Sequence, residues 1–484
     1  MTKNIFIIAA LIVIECFLFF EFINVPVILK GDYLLKILLV DLLCIVLFSL
    51  KYERNKTLRY QYYKISFFFL LSFCIVHYQI YIDYILGNYS HLGYDFLIDK
   101  SIVPKAILGS SIALNSFLIG YLLKNEKKAT INVRPRPNKI YPIKGILTLS
   151  CLLFGLFLST VDLSYFSGNY GKVELGVYAT YFQNYFIYSV MGIIILKSWN
   201  LKIIGDRIPS FRNYVIKMGL PLSILIGLYF PLVILSGDRG PIIQISIVYL
   251  AGYILVSRKK VQLQHILLFL FVAISFLSVL GVIRATQTKG DFVDKIMNAN
   301  ETKADLSSSN SFSPSTMELA GVVRTYHKSV SYTDRNGYSF GLFQGVQILS
   351  IVPGLGSLFK ILTGLEADKI RSAELLTKEL GADHGMGTTC VADIYLDFGI
   401  MGALLGFMLF GWFIRFLDEK SLTHGDASLF TWVMVMVFLS VSVYLGRSSI
   451  MSVFRDCVLT FLIIQISFVI SRVFLRDFTK QYIR

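Results

Sequence analysis

The chain has 484 residues, 55% of them hydrophobic and only 16% charged, with a mean hydropathy of +0.65. An ordinary soluble domain is about 25% charged, so a water-soluble globular protein is excluded. The net charge of +15 and pI near 9.3 do not indicate nucleic acid, because most of the excess lies in short connectors between apolar runs, where membrane proteins keep cytoplasmic Lys and Arg.

Apolar runs near 20 residues recur along the whole chain. That pattern predicts an all-α polytopic membrane protein with about twelve transmembrane helices. In chain order they are expected at 4–23, 33–50, 65–86, 104–123, 145–161, 178–197, 218–236, 241–256, 265–283, 391–416, 429–445 and 458–475. No small-residue cleavage site follows the first run, so it is read as a retained helix. The connectors at 51–59, 124–144, 197–217 and 257–260 are basic, as is the tail with Arg476, Lys480 and Arg484. All of these fall on one side if the N-terminus is cytoplasmic, and twelve spans return the C-terminus there. Three regions follow: 1–284 with spans one to nine, 285–390 as one large extracytoplasmic loop or lid, and 391–484 with spans ten to twelve and a cytoplasmic tail.

The long polar excursion is not uniform. Residues 302–315 are rich in Ser and Asn and are expected to be mobile. Residues 317–331 have helical spacing. Residues 340–362 are apolar but broken by Gly341, Gly345, Pro353, Gly354 and Gly356, which suits an interfacial or re-entrant helix. The six cysteines show no metal spacing and are read as small buried hydrophobes, with a Cys390–Cys457 pairing left open.

The candidate site residues are cations at expected membrane edges and the groups near them. Arg239 lies in Ser236-Gly237-Asp238-Arg239-Gly240-Pro241, where a guanidinium fork and nearby glycine amides suit a phosphate. Arg284, Arg447 and Arg455 sit at expected outer helix ends, where positive charge is disfavoured without a reason. His384 lies in a Gly/Thr-rich strip that leads into a helix with Asp393 and Asp397, four apart and so on one face. A His or carboxylate there could deprotonate a sugar hydroxyl. Glu318, Arg324 and His327 share the expected loop helix, with Arg324 and His327 three apart. His77, His91, His265 and His424 carry no signal. The chain lacks Asp-x-Asp, Walker lysine, H-E-x-x-H and G-x-S-x-G patterns, which disfavours a nucleotide-sugar synthase and an ATP-driven pump. No cofactor and no metal are expected.

Three segments resemble the Wzy-type O-antigen and capsular polysaccharide polymerases. They are Gly237-Asp238-Arg239-Gly240-Pro241, the stretch from Tyr338 to Pro353, and the strip from Gly387 through Asp393, Asp397, Phe398 and Gly399 to Gly402. The resemblance implies a glycosyltransferase C-like fold in the bacterial cytoplasmic (inner) membrane. It implies transfer of a growing glycan from undecaprenyl diphosphate to another lipid-linked repeat unit on the outer face, without metal. Carried over, Arg239, Arg284, Arg324 and Arg447 would bind the diphosphate, and His384, Asp393 or Glu318 would serve the acceptor. The implied partners are the lipid-linked oligosaccharide, membrane lipid, a chain-length regulator and a flippase. Two rivals remain at this stage: an O-antigen-type ligase and a lipid-linked oligosaccharide flippase.

Overall fold

The computed structural model describes residues 2–52, 63–88, 100–124, 140–167, 175–205, 208–257, 264, 311–313, 316–352, 354–382, 385–422 and 428–474. Among them the regular structure is helical. The helices are α1 Thr2–Ile23, α2 Gly31–Tyr52, α3 Ile65–Ile85, α4 Val103–Leu123, α5 Lys144–Thr160, α6 Val177–Ile204, α7 Phe211–Met218, α8 Leu220–Ser236 and α9 Gly240–Ser257. The polar excursion and the C-terminal part add α10 Met317–Ala320, α11 Val323–Asn336, α12 Leu342–Leu349, α13 Leu355–Thr363, α14 Ala367–Ile370, α15 Ser372–Glu379, α16 Cys390–Leu422, α17 Leu429–Ser442 and α18 Ile450–Phe474.

Eight of these are long and apolar enough to cross a membrane: α1 to α4, α6, α9, α16 and α18. The expected count of about twelve is therefore not reached among the described residues. The expected seventh span is part of a helix pair, α7 and α8, bent by 96°. Gly219 at φ +80° and Pro221 at the head of α8 cause that break. The expected fifth and eleventh, α5 and α17, have 17 and 14 residues, short for a span of about 20 residues. The expected ninth, 265–283, lies outside the described residues. All six cysteines are free thiols. Cys16 and Cys151 are exposed on apolar helices, against the expectation of burial.

The helices gather into two compact units: residues 1–129, 305–422 and 442–452 form the first, and 130–304, 423–441 and 453–484 the second. The first unit is built on α4, whose residues from Val103 to Leu122 are all buried except Lys105. Its tightest neighbour is α16. A Cβ added to Gly120 would lie 1.9 Å from the Met408 carbonyl, and one on Gly411 would lie 2.1 Å from that of Phe117. Glycines at this crossing let two backbones touch, as in membrane helix pairs generally. Two carboxylates from α1 and α2 end on α4. Glu15 accepts from Asn115 Nδ2 and Ser116 Oγ at 2.6 Å each, and Asp41 from Ser111 Oγ at 2.7 Å. Burial of such groups is tolerated only with partners of this kind.

One pole of this unit is charged and closed. Asp418 accepts from the Ile65 amide at 3.0 Å, Ser66 Oγ at 2.6 Å and Tyr121 Oη at 3.0 Å. Glu419 pairs with Arg415 at 2.9 Å and Lys124 at 3.6 Å. The start of α3 and the ends of α4 and α16 thus meet there. At their opposite ends stands the described part of the polar excursion. Ser311 Oγ and the Phe312 amide hold Asp83 of α3 at 2.8 and 2.9 Å. Lys105 of α4 pairs with Asp334 of α11 at 2.5 Å.

The second unit packs α5 and α9 on α6 and is rich in rings. Tyr229 takes a hydrogen bond from Gln183 Nε2 at 3.2 Å, with Phe154, Phe157 and Phe186 around it. Trp199 meets Trp432 edge-on at 6.1 Å between centroids, and Lys202 Nζ lies 4.1 Å above the Trp432 ring. Tyr188 Oη donates to Asp456 at 2.6 Å.

Candidate active site

The site is assembled where the polar excursion meets the head of α16. Its frame is a break in that helix. Gly399 has φ +58° and ψ −146°, a region open essentially to glycine alone. The break frees the carbonyls of Leu396 and Asp397 from their usual partners. The amides of Ser339 and Phe340 take them, each at 3.0 Å. The ring of Tyr338 covers the gap, so a Cβ on Gly399 would fall 2.5 Å from it. Asp397 then caps α12 from outside. Its carboxylate accepts from the amides of Phe343 at 3.2 Å and Gln344 at 2.7 Å, the orphan donors of a helix N-terminus.

One turn earlier, Asp393 is 1% exposed and ties three other segments to its helix. It accepts from Gln344 Nε2 and Gln347 Nε2 of α12 at 2.7 Å each, from Ser372 Oγ at the head of α15 at 2.5 Å, and from Ser449 Oγ at 2.8 Å. A carboxylate offers about four lone-pair directions, and four donors use them. The single hydroxyl proton of Ser449 is shared with Gln347 Oε1. Two residues before Ser449 is Arg447, in the 3-10 turn Leu445–Arg447, whose Gly446 amide is held by Ser72 Oγ at 3.0 Å. The Arg447 guanidinium faces Glu318 of α10 at 3.7 Å, with their side chains 32% and 46% exposed. Two of the expected site residues are therefore an ion pair, open to solvent on one side.

The expected single loop helix is split between Glu318 and Arg324. The turn tightens to i to i−3 bonds at Val322 and Thr325, giving α10 and α11. Arg324 and His327 consequently serve different neighbours. Arg324 Nη2 reaches Met386 Sδ at 3.1 Å, next to the strip that contains His384. His327 Nε2 bonds Tyr81 Oη at 2.8 Å. His77, read from sequence as uninformative, is 1% exposed and touches Ser110 Oγ at 3.1 Å and Cys390 Sγ at 4.0 Å. Tyr326 packs edge-on against both His77 and Tyr395. Burial raises its phenol far above the ordinary value, so it stays protonated.

Glu318, Arg324, Asp393 and Arg447 thus belong to the first unit. Arg239 belongs to the second, in the turn between α8 and α9. There Gly237 has φ +81°, Asp238 Oδ1 accepts from the Gly240 amide at 3.1 Å, and the Arg239 carbonyl starts α9. Arg455, also in that unit, lies 3.8 Å from Asp456. Arg284 and His384 lie outside the described residues. The partners that reasoning from sequence missed are Gln344, Gln347, Ser372 and Ser449. Only the two glutamines carried a signal: they sit three apart on an otherwise apolar helix.

These features define a multi-pass helical membrane protein with a polar, arginine-bearing site over the head of one long span. The family model for O-antigen polysaccharide polymerase Wzy matches residues 5–480, nearly the whole chain, and the chain belongs to that family. No curated protein and no solved structure matches it at a significant level.

Proposed function

We propose that the protein polymerises undecaprenyl-diphosphate-linked oligosaccharide repeat units into a surface polysaccharide, on the outer face of the bacterial cytoplasmic membrane. The anomeric carbon of the donor glycan loses its bond to the diphosphate oxygen and gains one to a hydroxyl of the acceptor unit. The hydroxyl proton passes to a base, and undecaprenyl diphosphate leaves. The observation that carries this reading is the half-open Arg447–Glu318 pair at the polar pole of the first unit.

Arginines suit the leaving group because a planar fork meets two phosphate oxygens at once. Charge developing there is stabilised by fixed cations, typically the largest catalytic term, and this chemistry asks for no metal. Arg447 would take the diphosphate, with Arg324 of the same unit as a further ligand; Arg239, in the second unit, and Arg284, outside the described residues, stay candidates from the sequence alone. Glu318, 3.7 Å from the Arg447 guanidinium and 46% exposed, lies where it could accept the acceptor proton. His384, outside the described residues, is the second group suited to that work. Asp393, with its oxygens occupied, serves better as a positioning residue that fixes the turn of Arg447. A flippase and a chain-length regulator would act before and alongside it.

The test uses purified protein in nanodiscs with undecaprenyl-diphosphate-linked repeat units. Products longer than one unit, formed equally with and without chelator, support the reading. Loss of activity with chelator would remove the metal-free step. A deletion strain that still exports single units but no long polymer places the protein at polymerisation. Absence of all surface glycan would instead indicate a flippase, and long glycan accumulating on undecaprenyl diphosphate a ligase.

A further inference from the structure

Among the described residues, α13 stands apart. None of its nine residues is buried, although it is short and rich in apolar side chains. Leu355, Leu358, Phe359 and Leu362 recur at i, i+3, i+4 and i+7, one stripe of a helix, and the three leucines are exposed. Lys360 and Ser357 lie on the other side. Ile348 at the end of α12, Val352 just after it and Ile361 of α13 are also exposed apolar residues. No other part of the described first unit covers this stripe.

The depth of this arm can be read from α16. Between Asp397 and Arg415 that helix has no charged residue. Past the break at Gly399 the uncharged part alone is about 22 Å long at 1.5 Å per residue, a large share of the ~30 Å hydrocarbon core of a bilayer. Asp397 therefore marks one boundary between hydrocarbon and headgroups. The same carboxylate caps α12 through Phe343 and Gln344, so the arm begins at that boundary. A nine-residue helix is too short to span. An amphipathic helix with a cation on its polar face, tethered at interface depth, has the form of a monotopic element.

We infer that α12 and α13 form an interfacial arm whose exposed stripe is covered by phospholipid acyl chains of the bilayer that holds the spans. Because Gln344 and Gln347 of the arm bond Asp393, and Asp393 bonds Ser449 near Arg447, seating the arm in lipid also sets the turn that carries Arg447. The lipid contact itself does not depend on the reaction assigned above; the link to Arg447 does.

The test is photo-crosslinking in full-length protein. A benzophenone amino acid is placed at Leu358, Leu362 or Lys360, and each variant is reconstituted in nanodiscs of phosphatidylethanolamine and phosphatidylglycerol. The expected result is a phospholipid-mass adduct at 358 and 362 that is lost at 360. Each variant is accepted only if it elutes as the wild type does in size exclusion. Equal adducts at all three positions, no lipid adduct, or capture of a second protein chain would overturn the inference. So would loss of the 358 and 362 adducts on adding undecaprenyl diphosphate, which would reassign the stripe to the substrate tail. Polymerase activity is measured in parallel on Leu358→Ser/Leu362→Ser. Lipid adducts with unchanged activity would keep the docking and remove the link to Arg447.

Discussion

Replacing Gly399 with alanine should loosen the site without touching any proposed reacting group. The dihedral pair of +58° and −146° is essentially closed to alanine and costs about 1–3 kcal/mol. The new methyl would also meet the Tyr338 ring at 2.5 Å, so the ring must move. Tyr338 leads directly into the two amides that satisfy Leu396 and Asp397. Losing both bonds adds about 2 kcal/mol at about 1 kcal/mol each. The total, about 3–5 kcal/mol, acts on docking of the arm more than on the spans. At about 1.4 kcal/mol per factor of ten, the undocked fraction should rise by about 10² to about 4 × 10³. Hydrogen exchange at the amides of Ser339, Phe340, Phe343 and Gln344 should speed up by a similar factor in Gly399→Ala. Adding Tyr338→Ala should recover the steric part and leave the dihedral part. Wild-type exchange and wild-type polymer length in Gly399→Ala would refute the reasoning, since no other route satisfies both carbonyls.

Three further outcomes are expected. Arg447→Ala, Arg239→Ala and Arg284→Ala should each abolish polymer with membrane levels near normal, and the Lys replacements should rescue only partly because a point charge lacks the fork; full activity in the alanine variants removes them from the site. Glu318→Gln should cut turnover by about 10²–10⁴ if it is the base, with donor binding unchanged in a filter assay; if only His384→Ala does so, the proton goes to the histidine. Asp393→Ala strands four buried or half-buried donors and should lower stability by at least about 3 kcal/mol, seen as a lower unfolding temperature in detergent, whereas Asp393→Asn should be milder because serine hydroxyls can turn to accept.

Much of the framework was legible because bilayer physics writes it plainly. Eight expected spans coincide with long apolar helices, since about 20 apolar residues leave few alternatives. The helix α7 was missed because 197–217 reads as a basic connector: Arg212 and Lys217 hide its helical pattern from hydropathy. The four-residue spacing of Asp393 and Asp397 correctly placed both on one side of a helix, yet their partners were invisible. Gln344, Ser372 and Ser449 come from segments 49, 21 and 56 residues away, and only tertiary packing joins them. Arg447 and Glu318 were each singled out, one for its place at a membrane edge and one for its place in the loop. Their pairing across 129 positions had no sequence signal. His77 illustrates the opposite failure: an isolated histidine in an apolar run looks inert until α11 and α16 close over it.

The carboxylates of α1 and α2 also say something about how the protein is made. Glu15 waits for Asn115 and Ser116, 100 and 101 residues later, and Asp41 waits for Ser111, 70 residues later. At about 5–20 residues synthesised per second, each acid spends several seconds in or beside the bilayer before its partner emerges. During that interval neither acid has the donor that offsets its burial, so α1 and α2 are less settled in the bilayer until α4 arrives to close the bundle. Biogenesis of this chain is therefore timed by its fourth helix, and a ribosome stalled before residue 111 should leave α1 and α2 easier to extract than the completed protein.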